Sequence, residues 1–365
     1  MPIIIGARLR SSREELGLTQ DKLAKALNLS AEFISLLELS KRTPSLETLK
    51  GITDFFKKDI SYFFEAKSVP LDKMYEAAGG DNKIKLGLKK FYSECRLCLD
   101  AENSLGLSPE LAPLYTTADA QQLAIAERRR IGLGNEPIRN AFALLERQGL
   151  HIFRQTLPEE SDISGVFLFF DVEKSAFALV NGRHSPGHQA FIAVHQYYHL
   201  LKDRYIGLVV DNHDVFVSEY LPLYHPREKL AHTFTLHFMI PQDKVSEIVS
   251  LEIRSAKIDL NKVLYLKRYF GVSVMAMLYA LQEYGYLSSG QFKDYQKKET
   301  AELEEKVFGC VEDRDKPAKQ SARNLISDRL NWLILEALEK KKIDEVKALQ
   351  FLKMNKKQLK KNNPK

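Results

Sequence analysis

A mostly helical α+β fold is what this 365-residue sequence predicts, and three observations carry the prediction. The N-terminal stretch is a series of short amphipathic helices separated by polar turns. "ISGVFLFFDVEKSAFALVNG" reads as two β-rich runs around a polar turn, a hairpin. "HSPGHQAFIAVHQYYHLLKD" then opens with Ser185 at a cap position and Pro186 in the first turn, and runs on as an apolar helix. The expected order is an N-terminal five-helix bundle (1–66), a helical connector (67–118), a domain with a small antiparallel sheet (119–245), its helical extension (246–300), and a charged linker with C-terminal helices (301–365).

Composition narrows the functional classes. Hydrophobic residues make up 44% and charged residues 28%, as in ordinary globular proteins. "MPIIIGARLR" has a short apolar patch but no long hydrophobic region or cleavage site, and no later stretch is apolar for long enough to span a bilayer, so a cytoplasmic location with no membrane partner is expected. Three cysteines do not make a disulfide framework. Cys95 and Cys98 form a lone CxxC without the second pair a zinc ribbon needs. With Ile84, Leu88 and Phe91 they follow helical spacing, which points to a buried apolar stripe. The net charge of +6 is mild, and much of the excess lies in the terminal "MNKKQLKKNNPK".

In "LTQDKLAKALNLSAEFISLLELSKRTPSLETLKGITDFF", a helix from Gln20 to Leu27 meets the turn Asn28–Leu29–Ser30. Ser30 can cap a second helix that buries Phe33, Ile34 and Leu37, and Pro44–Ser45 introduce a third with Leu46, Leu49, Ile52 and Phe55. Two helices joined by a three-residue turn inside such a bundle form a helix-turn-helix unit.

Over residues 4–64 the pattern resembles the lambda-repressor/Cro (XRE) family of DNA-binding domains, carried by "LTQDKLAKALNLS" and "ISLLELSKRTPSLETL". The resemblance implies that Gln20 and Ser30 approach phosphates, that Lys41 and Arg42 lie on the backbone beyond the recognition helix, and that Ala31, Glu32, Ser35 and Leu36 face base edges. It also implies a structural ion pair between Arg13 and Glu38. None of the four base-facing residues is an Arg, Lys, Asn or Gln, the usual bidentate readers. Residues 1–66 hold ten Lys/Arg against nine Asp/Glu, so one copy releases few counterions and a homodimer is expected on double-stranded DNA.

Pro70 and Gly79–Gly80 mark a loop out of this domain, and Pro109 and Pro113 a second seam. The stripe Ile84–Leu88–Phe91–Cys95 offers a seam for self-association.

"AVHQYYHLL" places His195 and His199 four apart on one helix, the spacing of a zinc-peptidase helix. Residues 119–245 resemble the ImmA/IrrE family of zinc metallopeptidases in "PIRNAFALLERQGLHIF", "SGVFLFF", "ALVNG", "PGHQAFIAVHQYYHLL" and "LAHTFTLHFMIP". The resemblance implies a zincin-like domain with His195 and His199 as metal ligands, a glutamate beside the first histidine as general base, and a third ligand from a later helix. Gln196 stands at the base position, and an amide cannot accept that proton at neutral pH. Leu230 stands at the third-ligand position. Glu228 and His232 are each two residues away, roughly 200° around the helix from Leu230, which argues against either as its replacement, and Asp211, His213, Asp214 and Glu219 are the loop alternatives. On this reading there is no cofactor unless zinc is held weakly.

"VLYLKRYFGVSVMAMLYALQEYGYLS" and "EVKALQFLKMNKKQLKK" repeat a two-helix cadence expected to pack on the peptidase-like fold or on a second subunit, with the linker "EDRDKPAKQSARN" between them. The sequence thus predicts a DNA-binding transcriptional regulator with an inactive metallopeptidase-like domain that senses or docks a small molecule or protein. Two alternatives stay open. One is a working zinc endopeptidase that cleaves a repressor or other partner; the other is a protein-interaction module without DNA binding.

Overall fold

Five helices form the N-terminal bundle: α1 (Pro2–Glu15), α2 (Gln20–Leu27), α3 (Ala31–Glu38), α4 (Leu46–Phe56) and α5 (Ser61–Phe64). The computed structural model describes residues 2–39, 41–64, 71–76, 79–107, 109–211, 226–254, 257–312, 314–315 and 325–353. Pro70, His213, Asp214, Glu219, most of the 312–324 linker and the lysine-rich end lie outside the described residues.

Each of the three middle helices of the bundle starts at a hydroxyl cap. Thr19, Ser30 and Ser45 accept from the backbone amides of Lys22, Phe33 and Thr48. Leu9, Leu23, Ile34, Leu37, Leu49, Ile52 and Phe63 fill the core. On α4 the buried stripe is Leu49, Ile52, Thr53 and Phe56, whereas Leu46, at the first helical position, is 76% exposed. Arg13 closes the bundle from inside: its Nε donates to Glu38 Oε1 at 2.6 Å, and a second guanidinium nitrogen donates to Oε2 at 2.9 Å. Truncating one partner leaves a buried carboxylate without its cation, so Arg13→Ala is expected to cost about 3–5 kcal/mol in denaturant unfolding of this domain. A loss near that of an exposed ion pair, under about 1 kcal/mol, would contradict the buried pair.

After α6 (Leu71–Glu76) comes α7 (Asn82–Leu105), then α8 (Ala120–Arg130) and α9 (Ala141–Arg147). The sheet follows: β1 (Leu150–Gln155), β2 (Gly165–Phe170), β3 (Ser175–Asn181), α10 (Pro186–Lys202) and β4 (Leu208–Asp211). The remainder is α11 (Pro226–Met239), α12 (Gln242–Ile248), α13 (Leu260–Phe270), α14 (Val274–Glu283), α15 (Ser289–Gln296), α16 (Ala301–Phe308), β5 (Leu325–Ile326), α17 (Asp328–Glu339) and α18 (Glu345–Leu352).

The strand order is β4-β2-β3-β1-β5. The sheet is mixed, which corrects the antiparallel expectation: β1 and β3 are parallel, while the other pairs are antiparallel. The chain reverses from β1 into β2 and again into β3, so β1 and β3 run the same way and pair directly. Alternation sends Phe167, Phe169, Ala176, Ala178 and Val180 to one face, and Val166, Leu168, Phe170, Phe177 and Leu179 to the other. The first face is covered by α10, which is buried from Gly187 to Lys202, as an apolar central helix must be.

The second face is covered by α7 together with α17 and α18. Ile84, Leu88, Phe91, Cys95 and Cys98 are all buried there, which corrects the self-association seam: the chain's own C-terminal helices consume that stripe. Within the connector, α7 is therefore a layer packed against the sheet. Gly271 and Ser273 end α13 and cap α14, whose apolar faces join the α10 side of the core.

The bundle docks through α1, which lies against α11 and the turn Arg204–Ile206. The Arg10 guanidinium donates to the backbone oxygens of Tyr115 at 2.8 Å and Thr116 at 2.6 Å. Among the described residues, no helix is long and apolar enough to cross a membrane.

Candidate metal centre

His195 and His199 share one face of α10 because their spacing is close to one helical turn. Both are fully buried, at 1% and 0% exposure. Asp203, at the end of the same helix, lies one turn beyond His199, and the His199 Nδ1–Asp203 Oδ2 separation is 2.9 Å. That hydrogen bond puts the proton on Nδ1 and leaves the Nε2 lone pair facing inward.

Glu228 supplies the carboxylate opposite. Pro226 starts α11, placing Glu228 in the first turn, where the helix dipole favours an anion. Its Oε2 lies 3.0 Å from His195 Nε2 and 3.5 Å from His199 Nε2, and its Oε1 accepts from Arg227 Nε at 3.1 Å. Leu230 is not at this position. It is half-buried beside Tyr198 and faces a cavity of about 540 Å³ shared with Arg10, Leu18, Gln20 and Arg227. Position 230, where the resemblance puts the third ligand, thus faces away from the histidines, and Glu228 is the carboxylate that lies beside them, since α11 turns one face to α10 and the opposite one to the N-terminal bundle. His232 packs between the rings of Phe191 and Tyr279, and burial, with His195 nearby, pushes its pKa down to about 3.

Asp211 completes the group from the sheet. Register sets it opposite Gly165, and its Oδ2 lies 3.6 Å from His195 Nε2. The Gln196 side chain, next along α10, donates from Nε2 to that same oxygen. Gln196 reaches it by crossing β2 at Gly165. A Cβ there would meet Gln196 Nε2 at 2.5 Å and Ile192 Cγ2 at 2.8 Å, so only glycine leaves the passage open.

The four donor atoms, from His195, His199, Asp211 and Glu228, all lie within 4.8 Å of one another. Tetrahedral zinc with bonds of about 2.0–2.1 Å needs donors about 3.3 Å apart. The separations of 3.0, 3.5 and 3.6 Å straddle that value, and His199 Nε2 is buried without a hydrogen-bond partner. The residues fit zinc.

The acidic groups around the imidazoles hold a proton on His199 that a metal would displace on binding. Burial opposes charge on His199, but Glu228 and Asp203 prevail and raise its pKa to about 10. Burial alone would raise Glu228, yet the two histidines hold it well below the usual carboxylate range, so it is ionised as a ligand must be. Asp211 is pushed up by burial, and His195 only partly offsets this. A divalent cation would.

Of the candidate DNA contacts, Glu32, Lys41 and Arg42 are exposed, and Ala31, Ser35 and Leu36 are half-exposed on the outer face of α3. Ser30 Oγ caps α3, and Arg42 stacks over the Phe33 ring at 5.0 Å. The Gln20 amide is turned inward, donating to Glu38 Oε2 at 2.8 Å.

A two-histidine helix under a small sheet, facing a carboxylate from the following helix, defines a zincin-like domain, here set behind a helix-turn-helix bundle. Residues 9–63 match the family model described as Helix-turn-helix, and residues 145–282 match the one described as IrrE N-terminal-like domain. The chain carries an XRE-type helix-turn-helix domain followed by an ImmA/IrrE peptidase-like domain. The HTH-type transcriptional regulator PrpR of Mycobacterium tuberculosis (strain ATCC 25618 / H37Rv) is 45% identical to it over 58 residues. That match covers 16% of this chain and only 12% of the relative's length.

Proposed function

We propose that this protein is a DNA-binding transcriptional regulator that acts as a homodimer, and that its peptidase-like domain holds zinc without hydrolysing peptides. The DNA half rests on α3. Its outer face, with Glu32, Ser35 and Leu36, stays accessible while the bundle docks through α1, and a matched relative is itself named as a transcriptional regulator. The peptidase half rests on Gln196, whose amide is engaged with Asp211 and cannot serve as the general base. A zinc in the site would supply Lewis acidity to a substrate carbonyl and to water; the chain's own residues offer nothing at position 196 to take the proton. The effector surface in this reading is the cavity between the domains, because its walls join the first turn of α11, which carries Glu228, to α1 and α2.

Binding to the DNA upstream of its own gene is expected to be salt-sensitive, with two chains per site. Lys41→Ala/Arg42→Ala is expected to weaken it roughly tenfold or more and to lower the salt slope by about two per chain. Fluorescence anisotropy at two salt concentrations measures both. Equal binding by wild type and variant would refute the DNA reading.

A working zinc endopeptidase is the second reading, favoured by Glu228, which supplies the ligand that Leu230 could not. It requires a base other than Gln196.

A further inference from the structure

Asp211 and Gln196 explain each other. Catalytic zinc sites have three protein ligands and keep one position open, whereas structural sites use four. Here a fourth donor stands among the first three, its Oδ2 3.6 Å from His195 Nε2 and within 4.8 Å of every other donor atom. The pairing of Gly165 with Asp211, backed by the Ser164 amide donating to the Asp211 carbonyl at 2.8 Å, holds β4 in that register. The Asp211 side chain is almost fully buried, at 6% exposure. A buried carboxylate beside a second carboxylate is costly unless a cation joins them.

Resting on the reading that the domain holds zinc, we propose that Asp211 is a fourth protein ligand, which closes the site, and that Gln196 is the positioning residue that aims it. The residue at 196 then has a new task. A glutamate there would set a second anion against Asp211 and drive one of the two out or into its neutral form. Glutamine is nearly the same size but brings an N–H donor that holds the ligating oxygen toward the histidines. Turned over, the amide would face its carbonyl oxygen to the carboxylate, so its orientation is determined. Replacement of the base and closure of the open position are one change of use, from hydrolysis to metal-dependent structure or sensing.

The test uses the full-length chain, stripped with a chelator and reloaded with zinc or cobalt(II). Wild type is expected to bind one metal per chain. Its cobalt absorption spectrum should be indifferent to acetohydroxamate, an anion that occupies open positions, and to pH around neutrality. Asp211→Asn keeps the shape but removes the charge. It is expected to make the spectrum respond to hydroxamate and to weaken zinc roughly 10–100-fold in a chelator competition. Gln196→Ala, which leaves all four ligands in place, is expected to weaken zinc by a similar factor, with circular dichroism unchanged. A wild-type spectrum that shifts with hydroxamate, or zinc affinity unchanged in Asp211→Asn, would overturn the fourth ligand while leaving a zinc-holding, non-hydrolysing domain intact. Wild type that binds no metal at all would instead overturn the underlying reading.

Discussion

Glu228→Ala is expected to strip the proposed zinc from this protein, whereas Leu230→Ala is expected to leave it in place. The expected result is a loss of metal affinity of about 100-fold or more for the first, seen as near-zero zinc by elemental analysis after gel filtration, and full occupancy for the second. The contrast follows from α11. Its two residues lie about 200° apart around the helix, so only one of them can face α10. Glu228 Oε2 meets both imidazoles, at 3.0 and 3.5 Å, while Leu230 lines the cavity toward α1 and α2. Loss of Glu228 also leaves His195 and His199 with Asp211 alone, and two imidazoles with one carboxylate on a strand end make a poorer site. If Leu230→Ala were the variant that lost zinc, α11 would have to turn its opposite face to α10.

The sequence carries the helix-turn-helix and both histidines because those are local signals. Caps at Ser30 and Ser185, a three-residue turn, and the four-residue histidine spacing each lie within one or two turns of chain. Asp203 is legible by the same rule, one turn after His199, but its value lies in orienting a ring rather than in touching a ligand. The rest is not local. Asp211 reaches the site through the pairing of β4 with β2, a relation across more than forty residues that no window reads. Glu228 is two residues from the position that the family pattern assigns, and only the facing of α11 decides between them. Gly165 has the pattern of an ordinary strand residue, and only the fold brings Gln196 across it. The α7 stripe is legible as apolar, yet the partner covering it, α17 and α18, lies more than two hundred residues later. A stripe declares that something must cover it, never what.

Restoring the missing base alone is expected to restore nothing. Gln196→Glu returns a group that can accept a proton, a function worth roughly a hundred- to ten-thousand-fold in rate where it is positioned. In this site the introduced carboxylate meets Asp211 Oδ2 at hydrogen-bond range, where the amide now donates. Two carboxylates that close cannot both stay ionised without a cation between them. Either the new base is held neutral, or Asp211 is displaced and zinc is held less tightly. Cleavage of generic peptides should therefore stay at background in both wild type and Gln196→Glu. Gln196→Glu/Asp211→Ala differs, because it supplies a base and frees a ligand position together. Any hydrolysis this domain can regain is expected in that double variant, up to the same hundred- to ten-thousand-fold above the single change, and it should vanish on adding His195→Ala. Peptide cleavage by the unaltered chain, abolished by His195→Ala and by chelator, would show that Gln196 does not silence the site and that Asp211 or another group already acts as the base.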